Sequence, residues 1–217
     1  YGWRVEWSQS DIDALVSIWG TENDTRTIPS YEYLGTASND ALYGYSGEND
    51  YGHDFMSGGA GNDIMYGYRG ADELLGGAGS DELRAGNGRD TLTGGADGDT
   101  LYGGFGLNTF SGEVDGSIDY LYLKSDHLAW NYIYGKAGNS PTGGKADKIG
   151  ALDSYDKIFI QGAETSQLSF GNVSHVSSLG ETLSGIGIYA AGVLEAVYVG
   201  GNLSSSQLQA MTSGTSV

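Results

Sequence analysis

The sequence predicts an all-β chain built around a parallel β-roll, because a nine-residue motif repeats through its middle. Seven consecutive nonapeptides run from Asn49 to Ser111. The two most regular copies read GGAGNDIMY at 58–66 and GGAGSDELR at 76–84. Each joins a glycine-rich turn to an aspartate and then to a short segment with a central apolar residue. A short helix is predicted before the repeats and a β-rich cap after them.

Two positions of the motif keep the same chemistry through all seven copies. The sixth is an aspartate or asparagine: Asp54, Asp63, Asp72, Asp81, Asp90, Asp99 and Asn108. The eighth is apolar: Met56, Met65, Leu74, Leu83, Leu92, Leu101 and Phe110. A flexible glycine-rich linker, the alternative, has no reason to keep these columns at a fixed phase. An earlier copy at 35–43 carries Asp40, a weaker candidate, at its sixth position.

The motif divides into a six-residue turn and a three-residue strand, of which only the middle residue points inward. Glycine in the turn permits positive φ and close backbone approach, so carbonyl oxygens crowd at the bend. Two repeats, or eighteen residues, then complete one coil, and the turns stack along two edges. The column aspartates alternate between these edges, with Asp63, Asp81 and Asp99 on one of them.

Stacked carboxylates predict a bound cation. Neighbouring strands lie about 4.8 Å apart, and two carboxylates at that spacing repel by ~3.5 kcal/mol at an effective dielectric of about 20. Calcium accepts carboxylate and carbonyl oxygens in irregular geometry, whereas magnesium requires a tighter octahedron and zinc prefers nitrogen and sulfur. The chain has no Cys, and its three His are scattered: His53, His127 and His175. We therefore predict Ca²⁺ as the ligand.

The motif G-G-x-G-x-D-x-U-x, where U is apolar, resembles the repeat of the RTX family of type I-secreted proteins of Gram-negative bacteria. In that family one repeat binds calcium jointly with the turn two repeats later. The resemblance implies about five calcium ions, bridged by Asp54/Asp72, Asp63/Asp81, Asp72/Asp90, Asp81/Asp99 and the weaker pair Asp90/Asn108. It also implies carbonyl ligands from Gly59, Gly61, Gly70, Gly77, Gly79, Gly86 and Gly88. Asp97, at a glycine position, is either an extra ligand or a residue in a strained turn.

The segment before the repeats predicts a short helix over 10–20, capped by Ser10 and ended by Gly20. This helix and the following NDTRT at 23–27 resemble the end of the catalytic domain of serralysin-type secreted metallopeptidases. There the second segment lends backbone oxygens to an additional calcium, which makes Arg26 and Thr27 weaker candidates. An ordinary helix and loop that cap the roll is the alternative.

After Ser111 the nine-residue period ends and ordinary strands are expected, at 118–123 and 156–160. A hairpin is expected from 185–190 and 193–199. We predict three parts: an N-terminal helix and lead-in at 1–34, the roll at 35–111, and a β-rich cap at 112–217. The stretch 147–158 resembles the region after the roll of the secreted peptidases. By resemblance, a type I secretion signal lies in 203–217.

The composition of the chain argues against two classes of binding partner. The net charge of −18 argues against binding to nucleic acid and to anionic membranes. No apolar run is long enough to predict a membrane span, so no membrane insertion is expected. The absence of cysteine fits a chain that is exported unfolded and folds on calcium outside the cell. Because the chain begins with Tyr1, we expect a fragment or processed form of something longer.

The sequence predicts a binding function and no catalysis. It contains no H-E-x-x-H zinc motif and no nucleophile elbow, so we expect no enzymatic activity from these residues. We predict a secreted or cell-surface calcium-binding module whose partner is the type I secretion machinery. One alternative is the C-terminal half of a serralysin-like zinc metallopeptidase. Another is a surface-array, adhesive or carbohydrate-binding protein, which self-associates or uses outward tyrosines: Tyr43, Tyr66, Tyr68 and Tyr102.

Overall fold

A computed structural model of the chain describes residues 30–46, 52–125, 146–176 and 180–215. The predicted N-terminal helix lies outside these residues, as do Arg26, Thr27 and His127. The strands are β1 (Ser30–Leu34), β2 (Ala41–Tyr43), β3 (His53–Ala60), β4 (Ile64–Gly70), β5 (Glu73–Ala78), β6 (Glu82–Gly88), β7 (Thr91–Ala96), β8 (Thr100–Gly106), β9 (Thr109–Ser111), β10 (Tyr120–Lys124), β11 (Asp147–Ile149), β12 (Lys157–Gln161), β13 (Leu168–Val176), β14 (Thr182–Ala190), β15 (Val193–Tyr198) and β16 (Thr212–Thr215). A 3₁₀ turn spans Thr165–Gln167, and the helix α1 spans Ser205–Met211.

The strands form two sheets, between which the chain alternates as it winds. Sheet I has the order β1-β3-β5-β7-β9-β11-β15-β14-β13, and sheet II has the order β16-β12-β10-β8-β6-β4-β2. All pairs in sheet II are parallel. In sheet I the pairs are parallel from β1 to β15 and antiparallel from β15 to β13. The predicted parallel β-roll is confirmed.

The roll repeats every eighteen residues, because Met56 aligns with Leu74 in sheet I and Met65 with Leu83 in sheet II. All seven apolar residues of the eighth column have no exposed surface: Met56, Met65, Leu74, Leu83, Leu92, Leu101 and Phe110. Each sheet contributes one row of these side chains to the shared core. The core of the roll is therefore thin, with one large apolar side chain per strand.

The parallel sheets continue beyond the last repeat. Leu121 and Ile158 extend the apolar row of sheet II, and Ile149 and Tyr198 extend that of sheet I. Their exposure is at most 1%. Ser111 therefore marks the end of the nine-residue period but not the end of the parallel stack.

The C-terminal part of the chain closes the stack with a hairpin and a helix. Strands β14 and β15 turn through Ala191 and Gly192, which both have positive φ, as the predicted hairpin requires. Strand β13 forms the outer edge of sheet I, and α1 buries Leu208 and Met211 before the chain enters β16. Neither β13 nor α1 is among the elements predicted from the sequence. Among the described residues, none of the helices has the length and hydrophobicity needed to cross a membrane.

The outer face of sheet II carries a ladder of aromatic side chains and one arginine. Its members lie at one register on neighbouring strands: Tyr43, Tyr66, Arg84, Tyr102, Tyr122 and Phe159. The rings of Tyr102 and Tyr122 stack with centroids 4.5 Å apart, and the Arg84 guanidinium lies 4.3 Å from the Tyr102 centroid. Because these side chains stack on one another across neighbouring strands, the ladder stabilises the pairing of those strands.

We expect Tyr102→Ser to lower the free energy of unfolding by about 1–2 kcal/mol, since it removes a ring stack and a cation–π contact. Urea unfolding in excess calcium measures this change. Tyr155→Ser is the matched control, because Tyr155 is 59% exposed in a bend. Its cost is expected within about 0.5 kcal/mol. Equal costs for the two variants would show that the ladder contributes nothing specific.

Candidate metal centre

The aspartates of the sixth column form two hydrogen-bonded ladders, one along each edge of the roll. On the first edge, the backbone N–H of Asp63 donates to Oδ1 of Asp81 over 2.7 Å, and the N–H of Asp81 donates to Oδ1 of Asp99 over 2.8 Å. On the second edge the same bond joins three pairs, Asp54 to Asp72, Asp72 to Asp90 and Asp90 to Asn108. The structure thus brings together every pair that the repeat spacing predicts, with the residues on the edges predicted for them.

Both ladders extend past the repeats through aspartates that the sequence analysis missed. The N–H of Asp99 donates to Oδ1 of Asp119 over 2.8 Å, and the N–H of Asp119 donates to Oδ1 of Asp156 over 3.0 Å. On the second edge, the N–H of Asn108 donates to Oδ1 of Asp147 over 2.7 Å. These contacts span 20, 37 and 39 residues instead of 18, so a nine-residue period cannot reveal them. The remaining signal is an apolar residue two positions after each aspartate, as in the repeats.

The first ladder also extends toward the N-terminus. The N–H of Asp40 donates to Oδ1 of Asp63 over 2.7 Å, so the detached copy of the motif stacks on the array. Oδ2 of Asp40 accepts the N–H of Thr36 over 2.6 Å, and both residues are partly solvent-accessible. Asp40 is therefore the solvated outer rung of an otherwise buried ladder.

The ladder carboxylates are buried, and in several of them one of the two oxygens has no hydrogen-bond partner. The exposure of the sixth-column residues is between 0% and 3%. Oδ1 of each inner rung accepts a backbone N–H, whereas a second carboxylate oxygen, Oδ2, lies buried without a hydrogen-bond partner in Asp63, Asp81, Asp90, Asp99 and Asp119. Oxygens of this kind are costly to bury, so each requires a proton or a cation.

Burial raises the pKa of several ladder carboxyls. It raises the pKa of Asp81 to about 6, of Asp90 to about 7 and of Asp99 to about 8. The same cause raises the pKa of Asp119 to about 7 and of Asp156 to about 6. Repulsion by the carboxylates of neighbouring rungs adds to the raised pKa of Asp81, Asp99 and Asp119. For Asp156 the repulsion comes from Asp153 and Asp115, which lie outside the ladder. At neutral pH, and without a bound cation, these five carboxyls are therefore only partly ionised.

Backbone carbonyls converge on the unpartnered oxygens. The point that a Cβ of Gly58 would occupy lies 2.3 Å from Oδ2 of Asp63 and 2.6 Å from the carbonyl oxygen of Gly76. The equivalent point at Gly76 lies 2.4 Å from Oδ2 of Asp81 and 2.3 Å from the carbonyl oxygen of Gly94. Only glycine leaves this space open. A carboxylate oxygen and a carbonyl oxygen from turns two repeats apart therefore face each other, which is a donor set that suits calcium.

The seven glycines predicted as carbonyl ligands all have positive φ: Gly59, Gly61, Gly70, Gly77, Gly79, Gly86 and Gly88. Only Gly61 and Gly79 lie between strands, whereas the other five lie within β3 to β6. The predicted three-residue strand is therefore wrong, because pairing with the neighbouring coils continues into the glycine-rich part of the repeat. Several of their carbonyls point along the stack toward the next coil; that of Gly70 lies 1.5 Å from where a Cβ of Gly88 would stand. Gly76 and Gly94, whose carbonyls lie beside the unpartnered oxygens, are not among the predicted ligands. Asp97 adopts a φ of 75°, which agrees with the strained-turn interpretation.

Calcium fits this arrangement better than a metal that needs clustered side chains. In the part of the chain that the structure describes, no three His, Cys, Asp or Glu side chains converge as a metal cluster. The carboxylates stand in single file, so an ion between two rungs would complete its shell with carbonyl oxygens. That mixture is accepted by calcium and not favoured by zinc.

The raised pKa values predict the response of the calcium-free roll to pH. Folding raises the pKa of these carboxyls from 3.8 to between about 6 and about 8, so the folded chain binds more protons than the unfolded chain across this range. Stability of the calcium-free roll is therefore highest below the ordinary pKa and falls as pH rises. We expect a higher melting temperature at about pH 5 than at about pH 8 in calcium-stripped buffer. Excess calcium should reverse this order, because protons compete with the ion; a calcium-free chain that is more stable at the higher pH would contradict the assignment.

Comparison with known proteins gives a family for the repeats. The family model of the RTX calcium-binding nonapeptide repeat, in four copies, matches residues 48–83 and again residues 75–110. The comparisons with curated proteins and with solved structures found no match. The matched residues hold the sixth-column ladder but not Asp119, Asp147 or Asp156, and the resemblance of the flanking segments to serralysin-type metallopeptidases stays a prediction. Residues 48–110 are RTX calcium-binding repeats, and they fold as a parallel β-roll.

Proposed function

We propose that this chain folds when calcium enters its aspartate ladders, and that it thereby supports type I secretion and the stability of a larger secreted or surface protein. The observation that carries the proposal is the row of buried carboxylate oxygens without hydrogen-bond partners, which includes Asp63, Asp81, Asp90 and Asp99. A divalent ion between the rungs would neutralise these oxygens and relieve their mutual repulsion.

The proposed ligands are the paired carboxylates together with carbonyl oxygens of the stacked turns. An inner rung such as Asp81 contacts both Asp63 and Asp99, so it would serve two ions. Asn108 offers a neutral amide oxygen and would bind more weakly. The five pairs within the repeats support the expectation of about five ions. We include the carbonyls of Gly76 and Gly94 with the glycines selected by the motif.

Calcium would contribute a large share of the stability. The core holds one large apolar side chain per strand, so apolar burial per coil is small. If the sites have the millimolar affinities of extracellular modules and calcium is present at about ten times Kd, each ion adds ~1.4 kcal/mol, and five add ~7 kcal/mol. This sum is comparable with the stability of a whole domain. The bound state would therefore be folded and the metal-free state largely unfolded at neutral pH.

The coupling of folding to calcium binding also supports a role in export. Sites of millimolar affinity would stay empty inside a cell and fill outside it, so the chain would cross the envelope unfolded. The predicted signal region at 203–217 includes α1 and β16, and β16 is the last strand of sheet II. Recognition of this region by the secretion machinery would therefore precede folding. The absence of cysteine and the charge of −18 agree with this order of events.

The aromatic ladder gives little support to the carbohydrate-binding alternative. Sugars bind aromatic residues through ring faces. The Tyr102 ring is covered by Tyr122 and Arg84, and the Tyr122 ring is covered by Tyr102 and Phe159. The metallopeptidase alternative requires an H-E-x-x-H zinc motif, which these 217 residues do not contain. For the chain itself we propose a structural calcium-binding role without catalysis, because ladder carboxylates that hold an ion and carbonyls leave no open coordination position.

We expect excess EGTA at neutral pH to abolish most of the β-type circular dichroism and added calcium to restore it. Magnesium is the control ion, because it requires octahedral geometry and dehydrates reluctantly. It should restore little of the signal at the same concentration. A full β spectrum in EGTA, or equal recovery with magnesium, would contradict calcium-coupled folding.

A further inference from the structure

Strand β13 is an exposed edge of sheet I. It is the last strand of that sheet, and among the described residues only β14 pairs with it. Its nine residues make it the longest of the four sheet edges, since β1 has five residues, β16 has four and β2 has three. The side chains of Ser169, Asn172 and Ser174 are exposed. This edge therefore presents a long row of backbone groups to the solvent.

The features that usually keep edge strands from pairing are missing from β13. Such features are short length, charged side chains, proline and β-bulges. The segment 168–176 contains no proline and no Asp, Glu, Lys or Arg. Its pairing with β14 keeps one register over all nine residues, without a bulge. By contrast, the edge strand β1 is shorter and carries Glu32. Strand β13 is therefore open to pairing with another strand.

The pairing with β14 shows which backbone groups of β13 point outward. The N–H of Ala191 donates to the carbonyl oxygen of Gln167 over 3.0 Å. Because hydrogen-bonded and non-hydrogen-bonded pairs alternate along an antiparallel ladder, residues 169, 171, 173 and 175 direct their backbone groups toward β14. The other residues of β13 direct theirs away from it: Leu168, Phe170, Asn172, Ser174 and Val176. Of these, Leu168 already donates its N–H to the carbonyl oxygen of Thr165.

We propose that this edge joins two copies of the chain into a symmetric dimer, in which the two β13 strands are antiparallel and Asn172 lies on the two-fold axis. A strand that pairs with its own copy about a two-fold axis is complementary to itself. Centring the pair on Asn172 aligns all nine residues, because Phe170 then faces Ser174 of the second copy and Leu168 faces Val176. The two nine-stranded sheets would thus join into one.

The packing of β13 favours a second strand at this edge. Leu168 and Phe170 pack against the main core but are only half-buried. Their neighbours on β14, Ala190 and Ile188, are buried. The apolar layer between the sheets therefore ends at β13 with its last side chains incompletely covered. A second copy of β13 would continue this layer and remove more apolar surface from water.

The distribution of charge favours contact at this part of the surface. The net charge is −18, so two copies repel each other over most of their surface. Between 165 and 217 the only Asp, Glu, Lys or Arg residues are Glu181 and Glu195. Glu181 is paired with Lys148 over 2.7 Å, and Glu195 is buried. The uncharged edge is therefore where two identical acidic chains can approach with little repulsion.

Sedimentation equilibrium of the full chain in excess calcium tests the dimer. We expect the average mass to rise from that of the monomer toward twice that value between about 1 and about 100 µM chain, because one pair of strands gives a small, reversible interface. Asn172→Pro should stay monomeric over this range and keep the circular dichroism of the unsubstituted chain. Proline there removes an N–H that points away from β14, so the bonds between β13 and β14 remain. An unsubstituted chain that stays monomeric, or a proline variant that still dimerises, would overturn the proposal.

Introduced cysteines test the pairing independently, because the chain has no Cys of its own. In the proposed dimer the two Cα atoms at position 172 lie about 5.5 Å apart, within reach of a disulfide. Asn172→Cys should therefore form a disulfide-linked dimer on mild air oxidation. Ser174→Cys is the matched control, since it is exposed on the same strand but lies about 14 Å from its copy, four residues along the ladder. We expect it to cross-link at least about tenfold more slowly. Equal rates for the two variants would contradict the dimer.

Discussion

The roll depends on charge compensation along two rows of buried carboxylates. Each inner rung uses one oxygen to accept a backbone N–H from the coil before it, as Asp81 does for Asp63. That bond fixes the spacing of the turns but leaves a second oxygen buried. The free energy gained by burying the thin apolar core is too small to offset the cost of burying several such oxygens. Calcium between the rungs would resolve this conflict, and folding and metal binding would then be one equilibrium, as we propose.

The same constraint accounts for the composition of the turns. A carboxylate and a carbonyl face the bare Cα of Gly58, and any side chain there would displace them. Stacking leaves no room for a Cβ at Gly88, where the carbonyl of Gly70 approaches. One apolar residue per strand suffices because the opposite sheet lies directly across the core. Beyond the repeats the turns change in length, yet the ladder continues, because its register is set by the parallel strands and not by the period.

The sequence predicted the regular part of this structure well, since a fixed period makes turn, rung and core residue coincide in every copy. Met65 and Asp63 could be placed on the correct face and edge from position alone. Asp119, Asp147 and Asp156 were missed because insertions destroy the period while strand pairing preserves the contact. The carbonyls of Gly76 and Gly94 could not be selected, since their approach to the carboxylates depends on how successive coils superimpose. Helix α1 was missed although its capping residues Ser204 and Gln207 and its apolar Leu208 and Met211 were present in the sequence.

Residue-resolved amide hydrogen exchange of the rungs tests the central claim most directly. The N–H groups of Asp63, Asp81 and Asp90 each donate to the next rung and are sealed in the stack only while that rung is held. With excess calcium at neutral pH, we predict that these amides exchange among the slowest in the chain. After calcium removal they should lose protection together with the amides of β4 to β8. Rung amides that stay protected in the calcium-free chain at neutral pH would show that the ladders stand without the ion, and would contradict the account.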